Sequence, residues 1–552
     1  MVIRPPGEGL VLRTRRAAAT VAALALGAAG CTGAQWSSSA DREVEEILSG
    51  KHDRVRLERE RGLVLPRPSG GEPAGAGSAG EVREPPVPVP EKMSLADALR
   101  IASACNKEYL ERREQLYLSA LGLSGTRYQF SPRFTAALSY VVADAKGFKP
   151  VDAADASLTG DAILPTGGTL TATASTDGQF DRNSTNVLVG TSSVTANLNQ
   201  PLLAGAGYEA SHEALTRAER EVVYSVRDFS RFREQFLLDA TRRYYDIVIN
   251  RAVLRNTEER HAAVDYQTRR AQALFDIGLQ DKLEVLRAQN DLLRVRNDLN
   301  DARDALGLAL DQFKVFLGLP ISVVFEIPEV DPVPVDVDVA LGSAVEAALA
   351  NRFDLANRRE QVEDAERALR IAKQDLLPDL SLQAEWTGQS APSSDFLDQA
   401  LKARGGTVGL FLELPLDRTL DRNAFRAAEI AVDRERRAYQ QFRDEIVVEV
   451  RDSLRRLRQA KTSLEIQVRI IEVEQKRYEK AQIDFNQGSI GNRDLLEAQQ
   501  SLTNARNERV RRAVDYELAR IDLDRSMGTL EVEPDGSWRV LRTPPASAKA
   551  GP

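Results

Sequence analysis

Histidine and cysteine are almost missing from this chain: its 552 residues hold three of the first and two of the second. His52, His212 and His261 share no helical spacing, so neither a metal site nor a histidine acid/base centre is expected. Of the two cysteines, Cys31 is expected to be removed or acylated, which leaves Cys105 no partner for an intramolecular disulfide. Aromatic residues make up only 6%, and no cluster of Lys and Arg carries interleaved aromatics. With a net charge of -8, that excludes nucleic acid as the main partner. No nucleotide-binding loop and no nucleophile with its base occur, so the chain is expected to be no enzyme and to need no cofactor. Paired carboxylates such as Asp494 and Glu497 exist, but on a heptad-patterned helix their ordinary role is surface charge.

What is abundant is charge and alanine. Charged residues make up 28%, with many Ala, Leu, Arg and Glu, the composition of long helices and coiled coils. The one apolar run near the start, Ala17 to Gly30, is about fourteen residues long, too short to span a bilayer. Arg4, Arg13, Arg15 and Arg16 precede it, which gives 1–30 the form of a secretory signal. Ala28-Ala29-Gly30 supplies the small residues for a cut before Cys31. The run resembles the lipobox of bacterial lipoproteins, which implies that the Cys31 sulfur is acylated; ordinary cleavage, leaving a free N-terminal thiol, is the alternative. Cys105 is expected to be core packing.

The chain is duplicated. Ala98 to Phe134 and Ala344 to Leu380 align without a gap at a spacing of 246, matching Arg112-Arg113-Glu114-Gln115 with Arg358-Arg359-Glu360-Gln361 and Pro132 with Pro378. At a spacing of 210, Phe275-x-x-Gly278 pairs with Phe485-x-x-Gly488, and Leu286-x-Ala288-Gln289 with Leu496-x-Ala498-Gln499. Two copies of roughly 200 residues point to a pseudo-symmetric molecule rather than a solenoid of short units. The organisation expected is a signal over 1–30, an acylated N-terminus with a Pro- and Gly-rich linker over 31–93, repeats over 94–330 and 331–532, and a disordered tail over 533–552.

Each copy reads as a helix, strands, then two long helices. Ser94 to Ser131 has one helical pattern. Leu380, Leu382, Ala384 and Trp386 alternate with polar partners, Val408, Leu410, Leu412 and Leu414 with Thr407, Gly409, Phe411 and Glu413, and in the first copy Leu170, Ala172, Ala174 and Val194, Ala196, Leu198 with Thr and Asn. Such alternation fits a half-buried soluble sheet or a membrane barrel wall. Val450, Leu457, Leu464, Ile471, Tyr478 and Phe485 recur every seven residues, and so do Val285, Leu292, Leu299, Leu306 and Phe313, with Ala288, Val295, Ala302, Ala309 and Phe316 as their d partners. A sustained seven-residue repeat imposes a left-handed supercoil. From Glu209 to Asp276 neither Pro nor Gly interrupts, so the helix is expected to run on the order of 100 Å. Gly278 and Gly488 then reverse the chain, giving two helical hairpins with matching tips.

Duplicated halves with strands between helices, the tips Phe275-x-x-Gly278-Leu279 and Phe485-x-x-Gly488-Ser489, and the junction Asn199-Gln200-Pro201-Leu202 together resemble the TolC-like outer-membrane efflux family over Ser94 to Val532. The resemblance implies a mainly α fold with β: a homotrimer whose long periplasmic coiled-coil barrel of twelve helices continues into a twelve-stranded outer-membrane β-barrel. It implies a passive exit duct, for efflux or type I secretion, fed by an inner-membrane pump through a periplasmic adaptor. A lipid at Cys31 would pin the N-terminus to the outer membrane of a Gram-negative bacterium. By the same resemblance Glu284, Asp494 and Glu497 line the periplasmic entrance, and Gly278, Leu279, Gly488 and Ser489 form the tips where the adaptor docks. The competing expectation is a lipid-anchored periplasmic coiled-coil scaffold or the adaptor itself, which leaves the strands unexplained. The interval from Phe134 to Gln200 spans 66 residues against 34 from Leu380 to Leu414, so the first copy holds either a longer external loop or an additional hairpin.

Overall fold

A stretch of more than sixty residues without Pro or Gly lets the chain run on as a single helix, and two such helices dominate the structure. A computed structural model describes residues 33–59, 88–143, 151–181, 189–328, 337–390, 401–487, 489–532 and 538–540. Cys31, Gly488 and most of the Pro- and Gly-rich linker lie outside the described residues.

The elements begin with α1 (Gly33–Arg59), α2 (Leu95–Cys105), α3 (Lys107–Phe130), β1 (Arg133–Ala143), β2 (Val151–Ile163), β3 (Thr169–Asp181) and β4 (Val189–Pro201). A helical turn precedes α4 (Glu213–Asp276), which is followed by α5 (Lys282–Leu317), α6 (Leu341–Asn351), α7 (Phe353–Gln374), β5 (Asp379–Ser390) and β6 (Leu401–Glu413). Last come α8 (Thr419–Asn486), α9 (Asn492–Ser526), β7 (Leu530–Val532) and β8 (Trp538–Val540). With 64 and 68 residues, α4 and α8 extend about 96 and about 102 Å at 1.5 Å per residue.

The duplication is visible in backbone chemistry. The single helix expected over Ser94 to Ser131 is two helices, because Asn106 turns extended (ψ 128°) and caps α3 by accepting from the Tyr109 amide at 2.8 Å. Its second-copy counterpart, Arg352, breaks the helix in the same way (ψ 120°). Asn106 donates to the Phe316 carbonyl at 2.6 Å, and Arg352 to the carbonyl of Ser526, the residue equivalent to Phe316. Beside each contact a left-handed glycine ends the long hairpin: Gly318 at φ 75° and Gly528 at φ 64°. A Cβ at Gly318 would collide with the Cys105 carbonyl, and one at Gly528 would sit tightly against Asn351 and Arg352.

The core runs along the hairpins. Val285, Ala288, Val295, Leu299, Ala302 and Phe313 on α5, and Val450, Leu457 and Leu464 on α8, are buried, as their heptad places require. The first copy adds an aromatic stack, Tyr109 against Phe229, Phe232 and Phe236, with ring centroids 5.1 to 6.0 Å apart. The second copy is aliphatic at the corresponding level, with Leu355, Ile446, Val450 and Leu454. Helix α1, an element that the composition of 31–93 carries no sign of, buries Val44, Ile47 and Leu48 in the first core, and Asp41 accepts from the Tyr117 hydroxyl at 2.5 Å.

Between the copies the seam is ionic. Arg227, fully buried on α4, donates to Glu360 at 2.7 Å and Asn357 at 3.1 Å on α7. Arg352 joins Asp354 and Glu449 nearby. Burial alone would push the Asp354 carboxyl up, but hydrogen bonds and charge from Arg352, with Arg231 beyond it, hold it below the usual carboxylate range. A buried pair of this kind fixes register more than it adds stability, and loss of one partner is costly.

The sheet corrects one expectation. Instead of two strands per copy, the first copy contributes four, and all six strands form one antiparallel sheet in the order β1-β2-β3-β4-β5-β6. The extra interval is a hairpin, not a loop. Its alternation is carried largely by Ala, Ser, Gly and Thr, which give a weak periodic signal even where the register is strict.

Candidate functional site

Two places can serve a duct: the sheet and the hairpin tips. Because side chains alternate along a strand, the registers of the sheet decide what each face offers. Thr135, Thr159, Thr173, Thr195 and Thr387 are opposite one another in sequence across five strands, and the ladder ends on Gly405 of β6. The row beside it, on the other face, is Phe134, Gly160, Ala172, Ala196, Trp386 and Gly406. One face is therefore hydroxyl-rich, with Asp155, Asp161, Asp177 and Glu385, and each of the three aspartates accepts from a neighbouring Ser or Thr at 2.7 to 2.9 Å. The opposite face carries Leu138, Leu158, Leu170, Leu382, Val408, Leu410 and Leu412. Val408 and Leu410 leave 76% and 67% of their surface uncovered, a patch that water does not tolerate but lipid does. Strands of 11 to 13 residues suffice to cross a hydrocarbon core when tilted. Among the described residues no helix is long and apolar enough to cross a membrane.

The turn between β2 and β3 is built into the strand-to-helix junction. The Gly207 amide donates to the Thr166 carbonyl at 2.8 Å, and Gln200 both accepts from the Thr166 hydroxyl at 2.6 Å and donates to its carbonyl at 3.0 Å. Gly167, at φ 91°, lies so close to Gly205 that a Cβ would stand 2.8 Å from that carbonyl oxygen. The Gln200-Pro201 pair that marks the junction in the sequence thus holds a second element as well.

At the far end, the tips reverse alike. The Leu279 amide donates to Leu274 O at 2.8 Å and the Ser489 amide to Asp484 O at 2.9 Å, a matching pair of helix-ending bonds. Gly278 is left-handed at φ 77° with open space where a Cβ would point, and Leu279 is 73% exposed. Gly488 lies outside the described residues, and Ser489 beside it is exposed.

Glu284 and Asp494 occupy the first turns of α5 and α9, where the partial positive charge of a helix N-terminus favours a carboxylate. Their surroundings differ. Glu284 pairs with Arg287 at 2.5 Å and Glu497 with Arg477 of α8 at 3.3 Å, whereas Asp494, exposed, has no ion pair among the described residues. Arg270 is a contact that sequence reasoning passed over: its guanidinium lies 4.7 Å from the Phe485 ring centroid and donates to Asn486, tying one tip to the other. No spacing reveals it, since the two hairpins meet only in three dimensions.

The sequence profile of the outer membrane efflux proteins matches residues 152–319 and 344–529, one block in each copy. No curated protein matches the chain. Among solved structures, the Campylobacter jejuni CmeC outer membrane channel superposes with a TM-score of 0.59 at 16% identity, covering 79% of this chain and 85% of its own. The Vibrio cholerae outer membrane protein VceC gives 0.58 at 14% identity, covering 79% and 96%, and the open-state Neisseria gonorrhoeae MtrE channel 0.57 at 12% identity, covering 79% and 88%. At such identities these likenesses speak for the TolC-like fold, and the profile, matching well over half of the sequence, speaks for descent: the chain belongs to the outer membrane efflux protein family.

Proposed function

We propose that this outer-membrane efflux channel works as a homotrimer, the passive exit duct of a tripartite efflux or type I secretion system in a Gram-negative bacterium, with cargo handed over by an inner-membrane pump through a periplasmic adaptor. The observation that carries it is the six-stranded wall with one lipid-compatible face, one wet face and two open edges, joined to four long helices. A soluble scaffold or adaptor would have no use for Val408 and Leu410 in water. Trimerisation is supported by a second apolar seam: Leu286 and Leu293 on α5, and Ile466 and Val473 on α8, lie seven apart and are exposed, each able to gain about 1 to 2 kcal/mol when a neighbouring copy covers it. Deleting the gene should raise cellular retention of the pump's cargo, and the purified protein should run as a heat-modifiable trimer from the outer-membrane fraction. A monomer in the soluble periplasmic fraction would sink this reading.

Lipid at Cys31 completes the anchor. Thr32 follows it, not the Asp that holds lipoproteins at the inner membrane. Cells fed an alkyne fatty acid should label the wild-type protein and not Cys31→Ala. Equal labelling of both rules the anchor out.

At the tips, threefold symmetry would gather Glu284, Asp494 and Glu497 into acidic rings around the entrance, where such rings favour cations. Since Arg287 and Arg477 already partner two of the three, Asp494 should carry the largest share. Asp494→Asn with Glu497→Gln is expected to lower cation preference and block by multivalent cations in planar bilayers. Unchanged selectivity and block would leave these carboxylates with only their helix-end role.

A further inference from the structure

Three protomers with two strands per copy would close a barrel of twelve strands, but this chain holds six in one sheet. We propose that β1 of each protomer pairs with β6 of the next, so that three copies close an eighteen-stranded barrel around a wide, hydroxyl-lined aqueous exit. This rests on the trimeric reading above.

Four observations point the same way. The added strands keep the register of the wall: the threonine ladder runs unbroken from β1 to β5, and the apolar row beneath it does the same. A hairpin folded into the lumen as a plug, or laid outside, would have no reason to keep Leu138 and Leu158 on the same face as Leu170 and Leu382. The inner turn at Thr166 and Gly167 is clamped to Gln200, Gly205 and Gly207 at the root of α4, which fixes the hairpin at the base of the sheet. Finally, β1 and β6 are the ends of the strand order, and long uncovered edges in a membrane must be paired. A head-to-tail contact that closes after three copies pairs each β1 with a β6 and leaves no edge.

The dimensions agree. Twelve helices packed 8 to 10 Å apart make a ring with a circumference of about 96 to 120 Å. Strands about 4.7 Å apart and tilted about 40° each take up about 6 Å of circumference, so eighteen give about 110 Å and twelve only about 74 Å. At that tilt eighteen strands continue the helical tube with little step in width. The wall would be about 35 Å across between backbones, in the range where barrels hold an open aqueous channel. Its lining is mainly Thr, Ser, Asn, Gln and acidic side chains, with Phe411 among them, a wet surface suited to polar cargo, so sieving would be left to the tips.

Spin labels measure the ring. In trimers reconstituted in nanodiscs, with Cys105→Ala removing the native thiol, Val408→Cys on β6 is labelled and the distance between protomers read by double electron–electron resonance. Backbone positions on an eighteen-stranded ring lie about 30 Å apart, on a twelve-stranded ring about 20 Å, and the label reach adds the same to both. The longer distance is the expected result. A distance about 10 Å shorter overturns the eighteen-stranded barrel while the trimer stands. A label at Ile466→Cys in the helical tube separates the two failures: absence of any dipolar signal there would show that no trimer forms and would overturn both.

Discussion

Leu410→Arg is expected to remove most of the folded, heat-modifiable trimer from the outer membrane, while Glu413→Gln in the same strand leaves it intact. Leu410 sits within β6, pairs with Leu382 of β5, and has most of its side chain uncovered on the face shared with Val408 and Leu412. If that face meets hydrocarbon, an arginine near the midplane costs about 2 to 4 kcal/mol in each copy, and about three times that in a trimer. Per chain that is a large fraction of the 5 to 15 kcal/mol that typically separates folded from unfolded chains. Glu413 lies on the other face at the end of β6, where an isosteric amide meets water and should change stability by no more than about 0.5 kcal/mol. Trimer yield on unheated gels is the readout, with a midpoint of thermal dissociation for whatever survives. Were Leu410→Arg tolerated as well as Glu413→Gln, both faces of the sheet would be in water and the membrane wall would have to be abandoned.

The helical part of this molecule is legible in its sequence because the signal repeats. Val450, Leu457 and Leu464 are buried where a seven-residue period puts them, and residues matched at the offsets of 246 and 210 make equivalent contacts, Asn106 with Phe316 and Arg352 with Ser526. The stronger strands are legible too: Leu380 faces Leu412 and Leu382 faces Leu410, as their alternation requires. What escapes is whatever depends on small residues or on distant partners. In β2 the sequence Asp155-Ala156-Ser157-Leu158-Thr159-Gly160 alternates as strictly as β5, but Ala and Gly against Ser and Thr differ too little in hydropathy to stand out. The interval could therefore be read as loop or hairpin, and only the cross-strand register decides. Asn106 reads as one more helical residue until its side chain is seen capping α3. Arg270 and Phe485, 215 positions apart, carry no common pattern, because neither heptad nor repeat encodes which face of one tip meets the other.

The tips hold the other large expected effect: Leu279→Asp should cut site-specific cross-linking to the adaptor at least tenfold, about 1.4 kcal/mol in each contact, and abolish export, with trimer yield and outer-membrane insertion unchanged. The expectation follows from cost without function. Leu279 leaves 73% of its surface in solvent at the end of a hairpin about 50 Å long, where an apolar side chain adds nothing to the fold. A partner groove that buries it would gain about 1.5 to 3 kcal/mol, and a carboxylate there would have to be desolvated without a partner. Gly278 separates docking from turn formation. Its φ of 77° suits glycine, but nothing lies within 4 Å of where a Cβ would be, so the backbone conformation, not crowding, is the intramolecular demand. Asparagine adopts that conformation at small cost. If the turn alone matters, Gly278→Asn should export normally; if an adaptor helix must approach the bare backbone, Gly278→Asn should assemble as wild type and still fail to export. Normal export by both Leu279→Asp and Gly278→Asn would show that the tips end the helices and dock nothing.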